Sequence, residues 1–377
     1  KSKFIPISDE SLQNCHYKAG KDLLAIYINN HRDSNLFKFK NLRLGGSAEL
    51  YESFGTKFGD LSAILIENLP FWVERTTTPS REVSLMSEWE TKLKAIVSEV
   101  KNKDVGSLTG VPSWMMVLLQ RVLKDTGKKS ISEVWPNLEV FFHGGISFVP
   151  YREQYKQLIG KDIRYYEIYN ASEGFFGIQD RFSSDEMLLM LDYGIFYEFI
   201  PMDTFGTENA KAVSLENVEL GKNYAVVITT NGGLWRYLIG DTIRFTDLKP
   251  FRFKISGRTK HYINAFGEEL MIDNVETALS KACQETNAKI TDYTGAPVYM
   301  KDGESGSHEW MIEFSTEPND FARFSEIFDE TLKSLNSDYE AKRFHNITLQ
   351  PLEIIVARKD LFNDWLKIKG KLGGQHK

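Results

Sequence analysis

The sequence predicts an α/β protein that contains an antiparallel, barrel-like region and ends in a small α+β unit. Three observations carry this. Before about Met187, apolar runs of strand length alternate with helix-period segments, the pattern of strands joined through helices. From about Met187 to Phe253, strand-like segments crowd together between turns such as Asp192-Tyr193-Gly194 and Asn231-Gly232-Gly233, which points to antiparallel pairing. After Gly257 the order becomes helix, hairpin, helix, strand, helix, a unit within the usual domain range. The change falls near Ser256 to Lys260, so a large unit over 1–256 and a small one over 257–377 are expected.

The individual elements follow in chain order. Strand candidates are Ser62–Ile66, Leu138–Phe142, Ile163–Ile168, Phe196–Ile200 and Ala225–Thr229, each a short apolar or β-branched run. Ser87 to Lys101 reads as an amphipathic helix with Trp89, Leu93, Ile96, Val97 and Val100 on one stripe. Ser113 to Lys124 follows Pro112, a good helix opener, and its Met-Met-Val-Leu-Leu centre makes it mostly buried. In the small unit, Asp273–Thr286 is a helix with Val275, Ala278, Leu279 and Ala282 inward. Val298–Met300 and Trp310–Phe314 form a hairpin around Asp302-Gly303. A helix over Asp320–Leu335, a strand over Leu352–Ala357 and a helix over Leu361–Lys369 complete it.

Composition excludes several classes. At 377 residues, 42% hydrophobic and 26% charged, the chain can bury a large core, so disorder is not its main state. A net charge of −6 argues against a general nucleic-acid binder. No apolar run is long enough for a bilayer span and no signal peptide is visible, so no membrane partner is expected. Two cysteines, Cys15 and Cys283, make neither a disulfide framework nor a metal cluster and suit a reducing cytoplasm. The chain starts at Lys1-Ser2-Lys3 without Met and stops on Lys377 after a glycine pair, as a piece of a longer chain would.

Several motifs end strands, where α/β proteins place ligands. Tyr169-Asn170-Ala171-Ser172-Glu173-Gly174 is either an ordinary strand-to-helix turn capped by Ser172 or a loop whose amides face phosphate or adenine, with Glu173 a carboxylate for Mg2+. Phe142-His143-Gly144-Gly145-Ile146 is either a tight turn or a place where paired glycines admit a ligand close to the backbone. His143 lacks the partners of a catalytic triad. Tyr237-Leu238-Ile239-Gly240-Asp241 puts a carboxylate after a glycine, a β-turn or an acceptor for a ribose diol. Gly257-Arg258 opens a stretch running to Leu270 at the expected boundary, either a linker with a surface arginine or a hinge whose arginine forks onto ribose or phosphate. The basic, glycine-rich tail from Lys367 to Lys377 is either solvated or able to reach an anion. Walker A, His-Glu-x-x-His and Cys-x-x-Cys patterns are absent.

The order of these motifs is more specific than any one of them. Lys1-Ser2-Lys3-Phe4-Ile5-Pro6, a strand ending in Gly-Gly, Tyr-Asn-Ala-Ser-Glu-Gly, Tyr-Leu-Ile-Gly-Asp, Gly-Arg at a junction and a closing Gly-Gly-Gln-His-Lys follow one another. The chain thereby resembles the adenylate-forming superfamily of acyl-CoA synthetases, peptide-synthetase adenylation domains and luciferases. Within it, the chain is most similar to the auxin-responsive-promoter family of acyl acid–amido synthetases, in a bacterial version. The resemblance runs over essentially the whole sequence.

The resemblance implies a large N-terminal domain of α/β subdomains plus a β-barrel, lacking its N-terminal part, and a small mobile C-terminal domain. It implies that ATP and a small carboxylic acid form an acyl-adenylate with Mg2+, and that an amino acid then takes the acyl group as an amide. By position it implies nucleotide binding by Gly144, Gly145, Tyr169, Asn170, Ala171, Ser172, Asp241 and Arg258. It makes Glu173 the magnesium-associated acid and Lys377 the lysine that touches phosphate and acyl oxygens. Phe142, Phe148 and Phe175 lie near these motifs and either line an acyl pocket or are core aromatics. The family's phosphate loop would precede Lys3, and Lys260 stands where many superfamily members carry Asp. An acyl-CoA ligase of the same superfamily and a non-catalytic nucleotide- or acyl-binding protein are the alternatives.

Overall fold

The computed structural model describes residues 4–45, 50–53, 55–86, 89–145, 148–182, 184–259, 263, 270–298, 306–336, 339–340, 343 and 349–369. Lys3, Lys260, Lys377 and the rest of the closing Gly-Gly-Gln-His-Lys lie outside the described residues, as does the expected turn at 299–305.

A twelve-stranded sheet organises the larger part of the chain. One wing is parallel. It contains β1 (Lys40–Arg43), β4 (Thr77–Thr78), β5 (Val105–Gly110), β6 (Val140–Gly144) and β7 (Arg164–Ala171), in the spatial order β4-β1-β5-β6-β7. A separate two-stranded ladder pairs β2 (Tyr51–Ser53) with β3 (Thr56–Phe58). All five residues of β6 are buried, as expected of a parallel strand covered on both faces. Its side chains alternate between two cores. Val140 and Phe142 join Tyr27 and Tyr166 on one face, and Phe141 joins Leu108, Leu118 and Tyr155 on the other.

The helices that cover these faces have legible ends. Helix α1 (Lys18–Asn30) packs Leu23 and Tyr27 into the first core. Helix α3 (Trp89–Val100) and helix α4 (Pro112–Thr126) fill the second. Pro112 opens α4, and Gly127 closes it at φ +68°, the left-handed turn that glycine takes without strain. Helix α5 (Arg152–Ile159) links β6 to β7 and ends the same way at Gly160.

One strand expectation fails. Ser62–Ile66 lies inside helix α2 (Leu61–Glu67), which buries Ala63 and Ile66. These are three residues apart, so they share a helical face. A five-residue apolar run does not distinguish a buried strand from a buried helix by composition alone.

The second wing is antiparallel, as the turn density predicted. It comprises β8 (Gly174–Ile178), β9 (Met187–Leu189), β10 (Ile195–Pro201), β11 (Val213–Ser214), β12 (Asn223–Thr230), β13 (Tyr237–Leu248) and β14 (Phe251–Arg258). The order β11-β10-β12-β13-β14-β9-β8 continues directly into β7. Among the described residues, no ladder joins the two ends of this wing. The barrel-like region is therefore one continuous sheet with the parallel strands.

The connection between the wings corrects one reading. Tyr169 to Gly174 does not lead into a helix. Ala171 pairs with Gly174, so Ser172 and Glu173 form the turn of a β7–β8 hairpin and Ser172 caps no helix. Gly257 and Arg258 likewise stand inside β14, paired with Thr242 and Asp241.

A third core lies entirely beyond Gly257. Helix α6 (Ile272–Thr286) and helix α7 (Phe321–Leu335) pack on β15 (Lys289–Val298), β16 (Ser307–Thr316) and β17 (Glu353–Val356). The expected hairpin is β15–β16, with Val298 opposite Ser307. The last described helix is α8 (Leu361–Ile368). No helix among the described residues is long and apolar enough to cross a membrane.

Candidate active site

The carboxyl ends of β6 and β7, joined by β13 and β14, enclose a cavity of about 1050 Å3. Gly145, Phe148, Tyr169, Asn170, Asp241 and Arg258 face it, and Asp273 and Glu276 of α6 close the other side. The cavity thus lies between the large sheet and the small unit.

The two glycines serve different ends. A Cβ on Gly144 would fall 2.3 Å from the Ile168 carbonyl oxygen. This glycine lets β6 and β7 approach. Gly145 has φ +86°, a conformation that costs other residues energy, and exposes its backbone to the cavity. Ala171 ends β7. Ser172 is exposed and Glu173 half-buried in the hairpin turn just beyond the cavity wall. Phe142 packs on Tyr27 at 5.4 Å and Phe175 on Tyr193 at 6.2 Å. Both are buried core side chains. Of the three phenylalanines, Phe148 is the one that reaches the cavity.

Asp241 and Arg258 are brought together by strand register. They sit directly opposite on β13 and β14, with Arg258 Nε 2.8 Å from Asp241 Oδ1. The Tyr169 hydroxyl donates to Asp241 Oδ2 at 2.8 Å. Burial, with Asp241 next to it, holds the Tyr169 hydroxyl well above the ordinary tyrosine value, so it stays a donor. An ionised carboxylate offers about four acceptor positions. Among the described residues, one hydrogen bond and one ion pair use two of them. The remaining capacity suits a pair of hydroxyls.

His143 stacks on Phe148 at 4.2 Å between ring centroids. Burial, reinforced by Arg152, pushes its pKa down to about 3. It is a neutral ring at physiological pH and serves no acid catalysis there. Among the described residues, its buried Nδ1 has no hydrogen-bond partner.

Two features of the cavity lie outside the motifs. Glu167 lines it, opposite His143 in the β6–β7 register. Burial first, then Asp185 and Glu276, push its pKa up to about 7 against the pull of Arg152 and Lys254. The second feature is a cationic lining: Arg152 and Lys156 from α5, Arg244 paired with Asp273 at 2.9 Å, and Lys254 paired with Asp185 at 2.7 Å. Strand alternation could have revealed Glu167. If Tyr169 faces a ligand, positions two and four residues back face it too, and Tyr165 and Glu167 do. The cations come from a helix and from the opposite wing, which no local pattern links.

The donor set bears on a metal as well. Among the described residues, no group of three or more His, Cys, Asp or Glu is placed to hold an ion. Mg2+ is commonly held by one or two carboxylates together with substrate phosphates, and Glu173 in the hairpin turn fits that mode.

Comparison with known proteins gives a consistent result. The chain matches the GH3 family N-terminal domain over residues 1–163, the central domain over 188–258 and the C-terminal domain over 273–377. An indole-3-acetic acid-amido synthetase, GH3.3 of Arabidopsis thaliana, is 27% identical over 251 residues, covering 62% of this chain and 41% of that protein. The jasmonoyl–L-amino acid synthetase GH3.5 of Oryza sativa subsp. japonica is 28% identical over 277 residues, covering 65% and 45%. The chain therefore spans less than half the length of these curated relatives. The solved structure of the GH3.15 acyl acid amido synthetase shares the fold at a TM-score of 0.78 and 15% identity, over 100% of this chain and 76% of that one. ATP-bound MatB from Rhodopseudomonas palustris shares it more distantly, at a TM-score of 0.53 and 12% identity, over 97% and 66%.

Proposed function

The chain belongs to the GH3 family, and from that premise we propose that it carries the nucleotide site of an ATP-dependent ligase joining a small carboxylic acid to an amino acid. The observation that carries this reading is Asp241. It is a buried carboxylate fixed by Tyr169 and Arg258 on a cavity wall, with acceptor capacity to spare.

The chemistry has two steps. The acid's carboxylate oxygen attacks the α-phosphorus of ATP, and the bond to pyrophosphate breaks. The amino group of the acceptor then attacks the acyl carbon. The carbon–oxygen bond to phosphate breaks with its electron pair on AMP, and the amine proton leaves to solvent.

Each of the chain's residues has a share in this reading. The ribose diol donates to Asp241, and Arg258 lies alongside as a cation. The adenine lies between the Gly145 backbone and Tyr169-Asn170. Ser172 faces the phosphates from the hairpin turn. Glu173 would hold Mg2+ together with the phosphates, and the ion would supply positive charge to offset the meeting of the two anions. Lys377 supplies a further positive charge from the C-terminal tail. The division between 1–256 and 257–377 is supported by a third core made only of residues after Gly257. Rotation about the Arg258 region would then exchange the lysine for the acceptor, a gating step.

The test is pyrophosphate exchange by the full-length protein over a panel of acids, with mass detection of amides. Exchange followed by amide formation supports the reading. Exchange followed by a CoA thioester, with no amide for any amino acid, replaces it with the acyl-CoA ligase. AMP binding without exchange replaces it with a binding protein. Lys377→Ala is expected to slow exchange far more than it weakens nucleotide binding.

A further inference from the structure

The small unit supplies one wall of the cavity. Ile272, Asp273, Glu276 and Thr277 of α6 line it, across from Asp241 and Arg258 of the large sheet. A ligand there is enclosed on that side while α6 keeps its place. Contacts of different character hold α6. Met271, just before its first turn, is buried against Met202 and Ala225 of the large unit. Lys289 Nζ donates to Gln157 Oε1 at 3.1 Å on the surface. Arg244 of β13 reaches across between the units, with its Nη2 2.9 Å from Asp273 Oδ2.

The Arg244–Asp273 pair is at the cavity itself. Both residues line it, and three residues of strand, about 10 Å, separate Arg244 from Asp241. Lys254, opposite Arg244 on β14, is held by Asp185 at 2.7 Å within the large unit. Asp273 suits the other end of the link. It stands in the first turn of α6, where a negative charge favours the helix. Its Oδ1 takes the Asn274 N–H at 3.0 Å, which leaves Oδ2 for Arg244.

The pair is also built to open. Burial pushes the Asp273 carboxyl above its ordinary value, and Arg244 opposes this without overcoming it. At Asp329, by contrast, the bonds to Arg343 and Tyr339 outweigh burial and hold the carboxyl low. The Arg343 side chain is 3% exposed, whereas that of Arg244 is 32% exposed and can turn to water when α6 moves. A pair whose attraction barely offsets its desolvation costs little to break.

We propose that the Arg244–Asp273 pair is the clasp that holds α6 as the second wall of the nucleotide cavity, and that its opening controls how fast nucleotide leaves. This rests on the nucleotide site of the ligase reading above. On that reading adenylation needs the wall in place, while acceptor entry and AMP release need it to move. Met271 gives the small unit a seat that is blind to charge. The ion pair fixes the face that α6 turns to the cavity, and its modest strength lets that face be withdrawn. A saturated pair such as Asp329–Arg343 at this point would keep the wall shut.

The experiment follows labelled AMP on the full-length protein, with Arg244→Gln, Asp273→Asn and the double variant. In each single variant the dissociation rate of AMP is expected to rise about fivefold, the weight of one partly exposed ion pair, while the association rate stays level. The double variant is expected to match the single ones, because its second change removes a partner already lost. Arg244→Lys is expected to recover part of the loss. Unchanged dissociation, an effect confined to association, or single effects that add in the double variant overturns the inference. A rise in Arg244→Gln alone would mean that Arg244 holds the ligand directly, and overturns it too. Thermal unfolding separates a purely structural role. The midpoints should stay close to that of the wild type, and a fall as large as that from breaking the Asp329–Arg343 pair overturns the inference. If the wild type binds no AMP, the nucleotide reading fails and takes this inference with it. If it binds AMP and the variants release it at the wild-type rate, this inference fails alone.

Discussion

The molecule builds the same three residue types, Asp, Arg and Tyr, into two buried centres that end in opposite conditions. In the small unit, Asp329 accepts from the Tyr339 hydroxyl at 2.6 Å and from Arg343 Nε at 3.0 Å on one oxygen. On the other oxygen it takes Arg343 Nη2 at 2.7 Å and Lys333 Nζ at 3.1 Å. The Arg343 side chain is 3% exposed. In the large unit, Asp241 has Tyr169 on one oxygen and Arg258 beside the other, and the Arg258 side chain is 30% exposed. A carboxylate saturated by its own protein can bind nothing else. One held in place with acceptor positions open toward a cavity can. Identical residue types therefore say little about role. The count of filled acceptor positions and the presence of a cavity say more.

The largest effect expected from this contrast is on folding. Asp329→Asn removes the charge that Arg343 Nε, Arg343 Nη2 and Lys333 Nζ share and should cost about 3–5 kcal/mol, the range for breaking one side of a buried pair. Urea unfolding measures it. A loss no larger than that of an exposed ion pair would mean that Asp329 is not the keystone of this unit. The same centre gives an acid limb. Burial pushes the Asp329 carboxyl up, but its bonds to Arg343 and Tyr339 outweigh this and hold it below the ordinary range. A lowered folded value stabilises above the unfolded value of about 3.9 and is lost as pH falls through the folded one. The wild type should lose stability on acidification below about pH 4, and Asp329→Asn should lose less over that span.

The next effect falls on the ligand. Asp241→Asn keeps the shape but replaces two acceptor oxygens by one oxygen and an amide that donates. The KM for ATP in pyrophosphate exchange should rise about 10–100-fold, as for one charge-assisted hydrogen bond. The loss of stability should be smaller than for Asp329→Asn, because Arg258 can turn to solvent. A variant that unfolds as readily as Asp329→Asn and keeps its KM would erase the distinction between the two centres.

Much of the architecture was legible because its signals are local. The helix stripe from Trp89 to Val100, the crowded turns after Met187 and the proline and glycine around α4 each act within one or two turns of chain. The position of Asp241 was legible for a similar reason, since it follows a glycine at an apolar run. What sits around it was not. Arg258 meets Asp241 through the register of a hairpin, and Tyr169 arrives from a strand on the other wing. Ser62–Ile66 was misread because burial on both faces of a strand and burial on one face of a short helix give the same apolar run.

A smaller effect separates the donors on Asp241. Tyr169→Phe removes one hydrogen bond but keeps the ring, which lies 4.9 Å from Phe176. A change of about 1 kcal/mol, about fivefold in the KM for ATP, is expected. It should stay well below that of Asp241→Asn, because the carboxylate keeps Arg258 beside it. Equal effects would mean that Tyr169, not Asp241, is the ligand's contact.

The smallest and most diagnostic effect concerns Glu167, two residues before Tyr169 on the same face of β7. Its pKa is pushed up to about 7 by burial, with Asp185 and Glu276 adding to the shift. Between the unfolded value of about 4.3 and the folded one, the unfolded chain releases this proton and the folded chain keeps it. Stability contributed by Glu167 is therefore present below about pH 4, declines as pH rises toward 7, and levels off above it. This is the reverse of the Asp329 limb. Urea unfolding from pH 4 to 8 should show the decline in the wild type and its loss in Glu167→Gln. With a polyanionic ligand bound, the acid form should be favoured further, since a carboxylate beside phosphates is repelled. Affinity for AMP should then fall as pH rises through about 7 in the wild type and stay flatter in Glu167→Gln. If both proteins give the same slope, Glu167 does not share its cavity with the nucleotide, and the open centre at Asp241 would have to serve a ligand bound elsewhere along that wall.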